Sequence, residues 1–417
     1  MKPLRVGTAG GRSVEPRHSA GDGAASFRVA VLLGCLVAFV DGFDVQLLPM
    51  LVPVLANLWD VQPGAFSAPM AATLVGYAVG GVGLAPLGDR IGRRPVLAAS
   101  MALTATSMGI AALVEGTPPL AVARLVTGIG VGAALVTALA IVADAAPAGR
   151  RAMAVTIALS AFTVGAAASG AATSLLLRQM AASGLFLIGA AAAGVTAAAA
   201  LATLPRPAPK HASEPVATVG PGALLSGAWS RVTLPLWSLY LLISFLMFFV
   251  TSWWPTILVA QGYDPAKAAR FAALVPLGSL AGGFVAARLL DRGAFRSAFL
   301  GSLALAAAAL AAFTSTRTGG GGAATILAIG FAIGGAQFAV SAAALILYPS
   351  AMRAAGAGWA GGIARIGSIC APLVGSYALR HLGPGGVVYG LLVPIALATL
   401  PALALAREAA RLRATGR

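Results

Sequence analysis

Charge is scarce in this chain. Of 417 residues, 10% are Asp, Glu, Lys or Arg and 59% are hydrophobic. A soluble domain carries about 25% charged residues. A soluble chain of this length would also divide into two or three domains, each needing a charged surface. The charges here do not cover one, which excludes a soluble globular protein. Cysteine is nearly missing, and Cys35 and Cys370 both lie inside apolar runs. A disulfide framework is therefore not indicated. The histidines, His18, His211 and His381, are scattered, so no metal and no cofactor is expected. No nucleophile elbow or phosphate loop appears either, and the chain is not expected to be an enzyme. Residues 1–27 are polar, Gly-rich and basic, with no apolar stretch. No cleavable signal peptide is expected from them.

What fills the chain instead is a series of apolar runs. They fall near 28–50, 65–88, 95–115, 119–143, 152–177, 182–204, 232–260, 268–290, 297–315, 322–347, 354–379 and 386–406. Runs of this length cross a hydrocarbon layer about 30 Å thick as helices. The expected fold is an all-α polytopic membrane protein with twelve transmembrane helices. An even number of spans puts both termini on one side. Arg and Lys gather on that side: in the N-terminal tail, in "GDRIGRRP", at Arg150 and Arg151, at Arg292, Arg296 and Arg353, and in the C-terminal tail. The opposite side holds Arg178, Lys267, Arg270, Arg317 and Arg380. This asymmetry orients both termini to the cytoplasm and accounts for the net charge of +16. The basic residues are spread over loops rather than gathered on one face, so the bilayer, not nucleic acid, is the expected partner.

A repeat underlies the spacing. Residues 205–231 hold five Pro and little apolar periodicity, and read as a cytoplasmic linker. Shifting the first half by 202 positions brings Pro53 onto Pro255, and Gly76, Gly80 and Gly81 onto Gly278, Gly282 and Gly283. Asp89 and Arg90 fall on Asp291 and Arg292, Gly128 and Gly132 on Gly330 and Gly334, and Arg151 on Arg353. The expected organisation is a tail over 1–27, a six-helix bundle over 28–204, the linker 205–231, a second bundle over 232–406 and a tail over 407–417. Six spans per half make the repeat parallel, the arrangement of two-halved secondary transporters whose site lies between the halves.

Four charges stand well inside spans: Asp41, Asp44, Arg124 and Arg365. Each costs about 2.5–3.5 kcal/mol at a helix centre on insertion scales. At 1.5 Å per residue, Asp41 lies about 20 Å, and Arg365 about 17 Å, from the inner end of its span. Arg124 lies about 8 Å below the outer end. Asp41 with Arg124 is a feasible ion pair. Asp41 and Asp44, at i and i+3, share a helix face. At least one of them is expected to titrate near neutral pH, loading a proton outside and releasing it inside.

Several segments carry a family resemblance. "GDRIGRR" at 88–94 resembles the loop signature of the major facilitator superfamily, and "RLVTGIGVGAA" at 124–134 its fourth-span motif. "DGFD" at 41–44, "WWPTIL" at 253–258 and the stretch 348–375 are similar to the aromatic acid:proton symporters within it. The resemblance implies a proton-coupled carrier in the cytoplasmic (inner) membrane. It would import a small aromatic carboxylate, benzoate- or hydroxybenzoate-like, by alternating access, and work as a monomer. It also implies a cytoplasmic gate made by Asp89, Arg90, Arg93, Arg94 and Asp144, with a weaker copy at Asp291, Arg292 and Arg353. Proton coupling falls to Asp41, Asp44 and Arg124. A buried guanidinium presents a planar fork that suits a carboxylate, which makes Arg365 the expected anchor. Gln337 is a candidate for a ring hydroxyl, and Phe338 and Trp359 for the ring face. A carrier of another organic anion, a drug:proton antiporter, and a receptor on a carrier scaffold are the alternatives. Span five lacks the antiporter's Gly-Pro pattern, and no appended soluble domain supports a receptor.

Overall fold

In lipid every backbone N–H and C=O must be satisfied within the chain, so apolar runs of this length become helices. The computed structural model describes residues 20–147, 149–205, 220–315 and 320–414, and every regular element among them is helical. Most of the tail 1–27 and of the linker, together with residues 415–417, lie outside the described residues. The long helices are α1 (Ala20–Leu58), α2 (Ser67–Val79), α3 (Arg93–Ala111), α4 (Thr117–Ala145), α5 (Arg151–Leu176) and α6 (Ala182–Thr203). The second half supplies α7 (Ser230–Ala260), α8 (Leu274–Asp291), α9 (Phe295–Ser315), α10 (Gly320–Ile346), α11 (Ser350–Gly390) and α12 (Leu392–Ala414). A π turn, Gly80–Leu84, and a short helix, Leu87–Ile91, extend α2. The helix Pro265–Ala272 leads into α8, with Asp264 capping it through the amides of Ala266 and Lys267. Within α11 the backbone breaks at Gly383, where φ is +66°. Only glycine takes that conformation at little cost, and Pro384 follows as a ready helix start.

Among the described residues, eleven helical spans are long and apolar enough to cross a membrane. Helix α3 is the one expected span that is not among them. It opens on Arg93 and Arg94 and buries Ser100, Thr104 and Ser107. These hydroxyls face protein, not lipid: Ser107 and Thr127 lie 2.9 Å apart, and Thr104 donates back to the Ser100 carbonyl at 2.9 Å.

The 202-residue offset recurs in the contacts. In the first half Gly76 packs on the Leu125 carbonyl, Gly80 on that of Ile129 and Gly128 on that of Thr73. In the second, Gly278 packs on Leu327, Gly282 on Phe331 and Gly330 on Val275. Each backbone partner is also displaced by 202 residues. A Cβ at any of these glycines would run into backbone, so α2 and α4, like α8 and α10, touch at the closest distance helices allow. The offset extends past the start of span five as well: Gly165 meets the Phe39 carbonyl, and Gly367 meets that of Leu241. Gly83 differs, with nothing beside it within 4 Å.

Side-chain hydrogen bonds that join the halves on one side include Gln46 Nε2 to the Thr251 carbonyl (3.0 Å), Arg270 Nε to Ser174 Oγ (3.2 Å) and Ser376 Oγ to the Gly64 carbonyl (3.0 Å). All three sit toward the face opposite the termini.

Candidate functional site

Between the halves lies a cavity of about 270 Å³. The first half contributes Asp41 and Val45 from α1, Leu74 and Tyr77 from α2, Leu135 from α4, and Leu159 and Phe162 from α5. The second half contributes Tyr240, Ser244 and Phe248 from α7, Gln337 from α10, and Ala364, Arg365 and Ser368 from α11. The spacing explains the convergence. Tyr240, Ser244 and Phe248 are each four apart, as are Asp41 and Val45, so each set forms a stripe on one helix face.

The two aspartates part company. Arg124 holds Asp44 with Nη1–Oδ1 at 2.5 Å and Nη2–Oδ2 at 2.9 Å, and Nη2 also reaches the Asp44 carbonyl at 3.2 Å. Its Nε donates to Thr73 Oγ1 at 3.1 Å, and that hydroxyl donates to the Pro69 carbonyl. Asp44 and Arg124 thus form a closed, fully bonded unit. Asp41 is the reverse case: it is buried, and neither carboxylate oxygen has a hydrogen-bond partner among the described residues. The partner of Arg124 is therefore Asp44 rather than Asp41. Depth along a helix does not fix azimuth, and three residues rotate a side chain by about 60° relative to its neighbour on the same face.

The Arg365 guanidinium lies over the Tyr77 ring, with Cζ 4.0 Å from the centroid, and also bonds the Tyr77 side chain. A guanidinium carries five N–H donors, so that one bond leaves others for a carboxylate. Gln337 lines the cavity with its amide against Ser244 Oγ, at 3.2 and 3.3 Å. Phe338 and Trp359 do not line it. Phe338 lies against Gly283 and is 45% exposed; Trp359 packs beside Trp237, centroids 6.5 Å apart. The aromatic surface of the cavity comes instead from Tyr77, Phe162, Tyr240 and Phe248. Trp253 and Trp254 are fully buried rather than placed at an interface.

At the termini face, Gly92 turns the chain with φ +98°. Arg93 bonds Asp144 Oδ2 at 2.5 Å, the Ala140 carbonyl at 3.0 Å and, more loosely, Asp89 at 3.5 Å. Arg94 donates to the Leu201 carbonyl at the end of α6. These contacts stay within the first half. Arg90, Asp291, Arg292 and Arg353 are exposed. In the second half the corresponding loop is met by Arg413 of α12, which packs on Gly293, donates to the Leu290 carbonyl at 3.4 Å and lies 5.3 Å from the Phe295 ring centroid. No group of His, Cys, Asp and Glu able to hold a metal is present among the described residues.

The family model of the Major Facilitator Superfamily matches residues 34–372. The chain belongs to that superfamily. It is 30% identical to a gallate transporter of Pseudomonas putida over 94% of both chains. It is 28% identical to the 4-hydroxybenzoate transporter PcaK of Pseudomonas aeruginosa, covering 89% of this chain and 91% of that one. Among solved structures it is similar to an inward-facing, unoccupied bacterial homologue of the human lysosomal transporter Spinster. That match has a TM-score of 0.71 and 15% identity, and covers 92% and 97% of the two chains. This superfamily member is thus a multi-pass membrane protein with the transporter fold, and not an enzyme. The Arg93–Asp144 contact ties the start of α3 to the end of α4.

Proposed function

We propose that the chain imports a small aromatic carboxylate together with one or more protons, by alternating access. The single observation that carries this reading is that Asp41 and Arg365, from opposite halves, line one cavity whose remaining walls are largely aromatic. Arg365 has the donor edge to take a carboxylate with two parallel hydrogen bonds. Tyr77, Phe162, Tyr240 and Phe248 supply faces and edges for a ring. The gallate and 4-hydroxybenzoate transporters named above support that substrate class. Asp41 is the proton site in this reading. A buried carboxyl with no hydrogen-bond partner gains and loses a proton without breaking a bond. Binding the anion and the proton together nearly cancels their charges before the loaded site changes sides.

The Asp44–Arg124 pair serves as the fixed frame of α1 and α4, next to the proton site. The loop around Asp89, Arg90, Arg93, Arg94 and Asp144 gates the cytoplasmic side, with Asp291, Arg292 and Arg353 in its second-half counterpart. Both termini are cytoplasmic, the membrane is the inner one, and one chain suffices.

Uptake of labelled aromatic acids into cells, with and without a protonophore, tests the reading. Accumulation of at least one benzoate-class acid, abolished by the protonophore, is expected. Accumulation that survives loss of the proton gradient removes the coupling. Uptake of non-aromatic anions alone moves the substrate class.

A further inference from the structure

We infer that the α7–α10 wall of this cavity selects a ring substituent that donates a hydrogen bond, and that the Tyr240 oxygen is its acceptor. The inference rests on the aromatic carboxylate reading of the cavity. Ser341 has one hydroxyl hydrogen. Its Oγ lies 2.8 Å from the Gln337 backbone carbonyl, which only accepts, so the hydrogen is committed there. The Tyr240 hydroxyl lies 2.8 Å from the same Oγ. With the Ser341 hydrogen already used, Tyr240 is the donor of that pair. Its one hydrogen is spent on Ser341, and its oxygen keeps lone pairs for a ligand in the cavity it lines.

Ser368 gives its hydrogen to the Ala364 carbonyl at 3.1 Å and retains only acceptor capacity. The Gln337 amide is engaged with Ser244 and keeps N–H capacity beyond that contact, so the acceptor of this wall is Tyr240 rather than Gln337. The charged donor of the cavity is Arg365, on a different helix. A carboxylate and a donor substituent are thereby assigned to different walls: the carboxylate to α11, the substituent to α7 and α10. A hydroxyl or amino group on the ring meets the Tyr240 acceptor. A methoxy group sets oxygen against oxygen, and an unsubstituted ring leaves the acceptor unmet. A site built to bond a substrate's O–H discriminates far more strongly than an apolar pocket sensing size. Tyr240 is thus the specificity-determining residue, and Ser341 positions it by fixing the direction of its hydrogen bond.

The test is equilibrium binding of benzoate and of its hydroxy, amino and methoxy derivatives, substituted meta or para, to the full-length protein in lipid nanodiscs. The hydroxy and amino acids are expected to bind at least about tenfold more tightly than the methoxy acid of the same pattern. Tyr240→Phe removes the acceptor and brings the hydroxy-to-methoxy ratio toward one. Ser341→Ala keeps the tyrosine ring but frees its hydrogen, so Tyr240 gains the ability to donate and the methoxy acid improves relative to the hydroxy acid. A merely structural role for Ser341 would not shift the ratio in that direction. Equal binding of hydroxy and methoxy acids by the unaltered protein, or a ratio unmoved by both substitutions, overturns the inference and leaves the carrier reading standing. Failure of every acid in this panel to bind removes the aromatic carboxylate reading, and this inference with it.

Discussion

Arg124 grips Asp44 with both terminal nitrogens, 2.5 and 2.9 Å from the two carboxylate oxygens, and neither side chain is more than 1% exposed. Removing one member of such a pair strands the other, at a cost of about 3–5 kcal/mol. Asp44→Asn and Arg124→Gln should each lower the thermal midpoint of the detergent-solubilised protein and its abundance in the membrane. The double substitution should cost less than the two singles added, because neither charge is then left alone. A thermal-unfolding cycle over the four proteins measures the coupling. Strict additivity would show that the pair does not hold α1 to α4.

Asp41 should behave differently. Its carboxylate oxygens make no hydrogen bond among the described residues, so Asp41→Asn breaks none and should change stability by less than about 1 kcal/mol. Accumulation against a gradient should vanish, while exchange of labelled for unlabelled acid across proteoliposomes persists. Counterflow and net uptake measured on the same preparation separate the two. Undiminished proton-driven accumulation by Asp41→Asn would place coupling elsewhere.

The division between these aspartates shows where sequence reasoning reaches. Span number, the parallel repeat and the depth of each buried charge follow from run lengths, the 202-residue offset and the rise of a helix. The offset even extends to which carbonyl each glycine touches. Azimuth is a different matter. Asp41 and Asp44 are one turn apart, yet one faces the cavity and the other faces α4, a difference set by how α1 leans on α4 and α5. The aromatic lining was missed in the sequence, although Tyr240, Ser244 and Phe248 recur every four residues among the apolar residues of α7 and so mark one face of it. Phe338 carries no such company, and it lies against Gly283 on an outer surface. Arg413 as the partner of the second-half loop was not legible, since it comes from the far end of the chain.

Arg365→Lys keeps the charge and loses both the planar fork and the stacking on Tyr77, which lies 4.0 Å away. The apparent KM for an aromatic acid should rise by about tenfold or more, a loss of about 1.4 kcal/mol, with membrane abundance maintained. Uptake kinetics alongside an immunoblot checks both. An unchanged KM would remove Arg365 as the carboxylate anchor.

Glycines that differ in their surroundings predict different tolerances. Gly128 and Gly330 each face a backbone carbonyl of the neighbouring helix, at Thr73 and Val275, where a Cβ does not fit. Gly128→Ala and Gly330→Ala must push α2 from α4, or α8 from α10, and each should cost about 1–3 kcal/mol, as overpacking does. Gly83→Ala has open space and should be neutral or slightly stabilising through helix propensity. Melting temperatures of the three variants decide it. A Gly83→Ala protein as damaged as the other two would show that contact with the neighbouring helix does not control these sites.

Closure of the face opposite the termini can be trapped covalently. Ser376 Oγ of α11 donates to the Gly64 carbonyl at 3.0 Å, and a Cβ built at Gly64 would lie 3.6 Å from the Ser376 Cβ. That separation is within the range for a disulfide, about 3.5–4.5 Å. Gly64→Cys with Ser376→Cys, in a chain whose Cys35 and Cys370 are replaced by Ala, should therefore cross-link under mild oxidation. With the two halves tied on that side, the cavity cannot open to it. Uptake should fall to background and return on addition of a reductant, and each single cysteine should show neither effect. Addition of a transported acid from the closed side should leave the oxidised protein unresponsive, while acid from the termini side still reaches Arg365. A cross-link that forms fully yet leaves uptake intact would mean that this contact persists throughout the cycle, and the two halves would then have to exchange access without separating at Gly64 and Ser376.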